Sequence, residues 1–191
     1  MCLIAFAINA DPHCPLLIAA NRDEAWDRPS AALARWALPN GQAVIAGRDL
    51  RDGGTWLGLT PSGRVAMLTN VRDAQPAKAP RSRGELVTRW LQGDADWADF
   101  SGALLAQDYG GFNLVVGDFT QGFWACVSNR HPKHPHRAES TPRLHTLPLG
   151  AGVYGLSNAA LDTPWPKTLA LKSALASRVA PLATEADKLE T

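Results

Sequence analysis

The chain has 191 residues, 46% of them apolar and 19% charged, enough to bury a core from roughly two-thirds of its unfolded surface, and it reads as one domain over residues 1–191. Nineteen basic against eighteen acidic residues leave a formal charge of +1, which excludes the basic footprint of a nucleic-acid binder. The longest apolar runs, such as 16–20, fall far short of the roughly 20 residues of a membrane-spanning helix, and Asn9-Ala10-Asp11-Pro12 closes the first apolar stretch too early for a secretory signal.

Strand-like runs dominate. They cover 2–8, 16–21, 43–46, 55–59, 65–70, 112–118, 122–128, 143–147 and 152–157. The first carries Cys2, Ile4, Phe6 and Ile8 on one alternating face and Leu3, Ala5 and Ala7 on the other, the pattern of a strand covered on both sides. Residues 9–15 are short enough to turn the first two runs into an antiparallel hairpin. The capping-box pattern Ser82-Arg83-Gly84-Glu85 predicts a helix through Leu86, Val87, Trp90 and Leu91. A second helix is predicted over 97–107. A third is predicted over 167–179, with Pro181 as its stop. Proline-rich stretches at 74–80 and 131–142 read as surface loops. Helices laid on the faces of strands buried on both sides give a layered α+β architecture.

Without a span or secretory signal a cytoplasmic or matrix-like compartment is expected, and the cysteines fit a reducing one: Cys2, Cys14 and Cys126 are odd in number and lack any Cys-x-x-Cys spacing. His131, His134 and His136 are separated by Pro132 and Pro135, with no partner at a zinc spacing, and do not read as a metal site. The seven tryptophans are dispersed and suit core or pocket walls. No serine-nucleophile elbow or nucleotide-binding glycine pattern is present.

The candidate chemistry sits at the start of the chain. Removal of Met1 would expose Cys2 with a free α-amine, so nucleophile and base would share one residue. The amine titrates near about 7.7–8.0 and the thiol near about 8.5. Position alone favours the commoner fate of a free cysteine, a small buried hydrophobe at a strand start. The hairpin changes that balance. If Asn9 faces Leu16, Cys2 falls opposite Asp23, beside Asn21-Arg22-Asp23-Glu24. Arg22 would then favour the thiolate, and Asp23 would hold the α-ammonium. The same side chains would equally form a surface ion pair capping the hairpin. Asn70 and Asn158 each close an apolar strand, Asn70 near Gly53 and Gly54. Both are candidate oxyanion donors in acyl transfer, with ordinary turn roles as the alternative.

These residues, together with Met1-Cys2-Leu3-Ile4, Arg28-Pro29, Gly53-Gly54-Thr55-Trp56-Leu57-Gly58, Leu68-Thr69-Asn70, Arg83-Gly84-Glu85-Leu86-Val87, Gly111-Phe112-Asn113-Leu114 and Tyr154-Gly155-Leu156-Ser157-Asn158, resemble the blocks of the NRDE family, the transport and Golgi organisation protein 2 homologues. That family resembles N-terminal-nucleophile hydrolases such as penicillin V acylase and bile salt hydrolase. The resemblance implies an α+β, Ntn-hydrolase-like αββα sandwich of two mainly antiparallel sheets covered by helices. It further implies a cofactor-free amidohydrolase acting on a non-peptide C–N bond of a small amide or acyl substrate. Cys2, Arg22, Asp23, Asn70 and Asn158 would take the catalytic places, although the Arg-Asp spacing is tighter than in the acylases. Family members continue into a Gly-Thr-Arg-Thr-like segment, whereas this chain stops at Thr191. The expected sandwich is therefore either truncated at its C-terminus or completed otherwise. Eukaryotic relatives are linked to haem trafficking, lipid metabolism and Golgi organisation. The alternative expectation is thus a non-enzymatic protein that carries haem or an acyl lipid in the same pocket, with Cys2 or a histidine such as His13 on the iron. The sequence does not specify an oligomeric state.

Overall fold

The computed structural model describes residues 2–73 and 79–186. Ten strands form two sheets in which every neighbouring pair is antiparallel. The smaller sheet places β1 (Leu3–Asp11) between β10 (Gly152–Leu156) and β2 (Cys14–Asn21). The larger runs in chain order through β3 (Ser30–Ala37), β4 (Ala43–Asp49), β5 (Leu57–Leu59), β6 (Arg64–Asn70), β7 (Phe112–Asp118), β8 (Phe123–Ser128) and β9 (His145–Pro148). Three α-helices accompany them: α1 (Gly84–Gln92), α2 (Trp97–Gly102) and α3 (Pro166–Ala186).

The alternation of β1 explains the layering. Ile4, Phe6 and Ile8 are fully buried against Val65, Met67, Val115, Trp124 and Cys126 of the larger sheet, whereas Ala5 and Ala7 face Leu175 and Val179 of α3. Large side chains fill the space between the sheets, and small ones let the helix approach. The outer face of the larger sheet, through Ala66, Leu68, Leu114 and Val116, packs on Leu86, Val87, Trp90 and Leu91 of α1 and Phe100 of α2. The order helix, sheet, sheet, helix is the sandwich implied by the resemblance. Each fully buried large side chain between the sheets contributes about 1.5–3 kcal/mol.

Nine predicted strands are present, β7 with the predicted ends and the others with shifted ends, and β3 is an addition. It is an edge strand paired only with β4 and exposed along nearly its whole length. Its alanines carry little strand propensity and no periodicity, so it leaves no sequence signal. The helix predicted over 97–107 breaks after Gly102 into an extended Leu105 and a 3₁₀ turn at Ala106–Asp108. Leu104 and Ala106 are both buried, and residues two apart in a continuous helix would point about 200° from one another. Pro181 does not stop α3, which runs on to Ala186, since a proline removes one helical hydrogen bond without forbidding the turns beyond it. The predicted capping box does not form: the cap of α1 is Arg83, without a side-chain cap bond. The Ser82 hydroxyl donates instead to Asp52 at 3.1 Å, and Glu85 is held by Arg81. Trp26, 95% exposed, is an exception to the reading of the tryptophans as mostly core or pocket walls. The loop read at 74–80 lies outside the described residues except for its last two positions.

Candidate active site

The hairpin of β1 and β2 brings Cys2 to Arg22, one residue from the predicted partner. At the turn, Asp11 faces Cys14, a register that would carry Cys2 to Asp23. Beyond it the pairing runs Ile8↔Leu16 to Leu3↔Asn21, which extends to Cys2 opposite Arg22. The offset comes from one extra residue on β1 between Ile8 and Asp11. Asn9 sits there with φ 44°, a left-handed conformation that asparagine tolerates and that marks a β-bulge. Asp23 still reaches the sulfur through its backbone, whose N–H donates to the Cys2 thiol.

Cys2 lies half-buried in the wall of a cleft of about 910 Å³. The cleft opens where the start of β1 and the ends of β2, β4 and β6 meet, so Cys2, Arg22, Asp49 and Asn70 share its wall. Gly54 and Gly84 also line the cleft: a Cβ on Gly54 would come within 2.8–3.1 Å of the Gly84 backbone, so two glycines let the β4–β5 turn touch the start of α1.

Burial pushes the Cys2 thiol above its ordinary value. The positive chain terminus, Arg22 and the Asp23 N–H oppose this by stabilising the thiolate, while Glu24 adds to the rise. Arg22 is held from three sides, donating to Ser30 Oγ at 3.1 Å, Glu24 at 3.2 Å and Asp49 at 3.3 Å. Asp49 also accepts from Arg28 Nε at 2.6 Å, and Arg28 reaches Asp52 at 2.6 Å. Burial would raise the Asp49 carboxyl. The Arg28 hydrogen bond and the backbone N–H groups of Asp52 and Arg51 outweigh it and hold the group below its usual range.

The two asparagines take different places. Asn70 lines the cleft with Cys2, and its side-chain amide has no hydrogen-bond partner among the described residues. Asn158 is buried behind it and does not line the cleft: its Nδ2 donates to the Asn70 carbonyl at 2.7 Å, and its own carbonyl accepts from Arg72 N–H. Ser157 Oγ donates to the Cys2 carbonyl at 2.7 Å, and Thr69 Oγ1 donates to the Ser157 carbonyl at 2.6 Å. The end of β10 thus ties Cys2 to the end of β6. The Asp23 carboxylate accepts from Asn21 Nδ2 at 2.7 Å and lies outside the cleft lining. Arg28, Asp49, Ser157 and Thr69 carry no role in the sequence reading. Arg28-Pro29 and Leu68-Thr69-Asn70 were visible only as blocks, because partners 20 to 90 residues distant leave no local pattern.

Seven arginines and four carboxylates line the cleft. Among the described residues no three His, Cys, Asp or Glu side chains are placed to share a metal ion, and no helix is long and apolar enough to cross a membrane. The molecule is thus of the α+β class, two antiparallel sheets between helices, with a cysteine-edged and guanidinium-rich cleft at the converging strand ends. The family model described as "Transport and Golgi organisation 2" matches residues 1–190, and the chain belongs to that family. The bovine and human proteins named "Transport and Golgi organization protein 2 homolog" are each 36% identical to it over 178 residues, which cover 87% of this chain and 60% of either relative. The mouse homolog is 34% identical over the same length. The chain therefore spans about three-fifths of the length of these mammalian relatives.

Proposed function

We propose that the chain is an N-terminal-cysteine amidohydrolase cleaving a non-peptide C–N amide bond. The observation that carries this reading is the placement of Cys2 in the cleft wall with Arg22, its sulfur accepting from the Asp23 N–H. With Met1 removed, the Cys2 α-amine takes the thiol proton as Sγ attacks the substrate carbonyl. The C–N bond breaks, the leaving amine collects that proton, and an acyl thioester remains on Cys2. Water then attacks the thioester, releasing a carboxylic acid and restoring the thiol. Arg22 supports the thiolate from a guanidinium fixed by Glu24 and Asp49.

The free amide of Asn70 is the group available to a developing oxyanion. Asn158 acts through it, as a positioning residue that holds the Asn70 backbone. Asp23 contributes its N–H to the sulfur and, through its carboxylate, a site for the α-ammonium. The competing haem or acyl-lipid carrier would need an apolar slot, and the abundance of guanidinium and carboxylate groups in this cleft favours the hydrolase.

The test is intact-mass analysis of the mature protein followed by incubation with a panel of small fluorogenic amides. Loss of Met1, an acyl adduct mapped to Cys2, and a fall in turnover of about 10³-fold or more in Cys2→Ala support the reading. Retained Met1 on the purified protein sinks it.

A further inference from the structure

Of the guanidinium groups that line the cleft and that the mechanism above does not use, two stand out. Arg83, at the start of α1, is half-buried and donates one hydrogen bond, to the Gly111 carbonyl at 3.2 Å. No carboxylate pairs with it among the described residues, whereas Arg22, Arg28 and Arg81 in the same wall are each matched by two. Arg130, at the end of β8, donates to Asp73 at 3.0 Å and to the Asn129 carbonyl, yet its Nε is buried without a partner.

Both groups pack on one glycine pair. A Cβ on Gly111 would lie 3.2 Å from the Arg130 guanidinium, and one on Gly110 would lie 3.6 Å from Arg83 Nη1. At Gly111 a side chain would crowd the Arg130 guanidinium, whereas at Gly110 a Cβ would only touch Arg83. Burial lowers the Arg83 pKa; Glu24 and Cys2 counteract this, and Arg28 and Arg130 reinforce it. Arg83 therefore stands within electrostatic reach of both the sulfur and the second guanidinium. Two guanidinium groups on adjoining glycines of one cleft, one of them without a carboxylate partner among the described residues, favour a carboxylate over a neutral group.

We propose that Arg83 and Arg130, seated on Gly110-Gly111, form a carboxylate-binding subsite beside Cys2, so that the substrate is an amide bearing a free carboxylate. The claim about the substrate rests on the hydrolase reading; binding of the carboxylate does not. The test is alkylation of Cys2 by iodoacetate and by its neutral isostere iodoacetamide, read by peptide mass spectrometry against N-acetylcysteinamide. In both reactions the thiolate forms the C–S bond and iodide leaves. The iodoacetate-to-iodoacetamide rate ratio at Cys2 exceeds that of the free thiol by about fivefold or more. Arg83→Gln brings it close to the free-thiol ratio, while iodoacetamide labelling changes less than twofold. Arg83→Lys keeps part of the excess because charge survives without the fork.

In wild-type protein, sodium acetate protects Cys2 better than sodium chloride at equal ionic strength. This arm needs no variant to fold. A wild-type ratio equal to that of the free thiol, an unchanged ratio in folded Arg83→Gln, no alkylation of Cys2 by either reagent, or better protection by inorganic phosphate than by acetate would each overturn the subsite. Retained Met1 would end the hydrolase reading and leave these ratios intact. A free-thiol ratio alongside amide turnover would do the reverse.

Discussion

Cys126 and Cys2 show what surroundings do to one residue type. Cys126 lies between the sheets with Ile4, Phe6, Met67 and Val115, and burial pushes its thiol up to about 12. Cys2 directly precedes the strand that supplies three of the large side chains of that core, yet it stands in a cleft wall with Arg22. Its thiol is also raised by burial, but an arginine and a backbone N–H act against the rise. Hydrocarbon alone makes a cysteine inert; half-burial backed by a positive group leaves it capable of ionising.

The largest effect that would break this contrast is in thiol labelling. In the folded protein, Cys2 should react with a neutral electrophile at least about 10³-fold faster than Cys126. Its rate should climb about tenfold per pH unit towards a midpoint above the ordinary cysteine value of about 8.5. Comparable labelling of Cys126 under native conditions would erase the distinction. The sign for stability follows from the same raised value. The protonated Cys126 is the form the fold favours, so its contribution is complete below about pH 8.5 and is lost as pH rises towards about 12.

Deleting a core ring between the sheets tests the apolar side of the comparison. Phe6→Ala removes a fully buried side chain stacked on Tyr154 at 5.3 Å and should destabilise by about 3–5 kcal/mol in denaturant melts. Asp49→Asn tests the polar side. It takes a carboxylate from both Arg22 and Arg28 and should cost about 2–3 kcal/mol at pH 7. Because the folded Asp49 pKa is depressed, that contribution is present above the unfolded value of about 3.9 and disappears as pH falls through the lower folded value. An Asp49→Asn penalty persisting undiminished at pH 2 would contradict the assignment. Asn158→Ala, which frees the Asn70 carbonyl, should cost about 1–2 kcal/mol and lower turnover with little change in Cys2 alkylation by iodoacetamide. Trp26→Ala should move stability by under about 0.5 kcal/mol, since the ring is almost wholly in solvent.

The pairing of β1 with β2 and the positions of nine strands were legible, because both depend on short-range alternation and a short turn. Three of the five residues singled out for chemistry, Cys2, Arg22 and Asn70, line one cleft. Asp23, exposed, and Asn158, buried behind Asn70, do not line it; they connect to it through a backbone N–H and the Asn70 carbonyl. The one-residue slip of the hairpin was not legible: a bulge at Asn9 depends on a left-handed backbone that the sequence permits but does not demand. Edge strand β3 escaped because its partner, not its own composition, makes it a strand.

By itself the sequence determined the layered α+β class and the presence of a cysteine, an arginine and two asparagines at strand ends, since alternation and turns are written in neighbouring residues. Tertiary structure alone decided which guanidinium groups are neutralised. Arg22 meets Asp49 across 27 residues and Arg130 meets Asp73 across 57, while Arg83, among the described residues, donates to the carbonyl of Gly111 and pairs with no carboxylate. Electrostatic pairing depends on distance in space, and sequence separation carries no record of it.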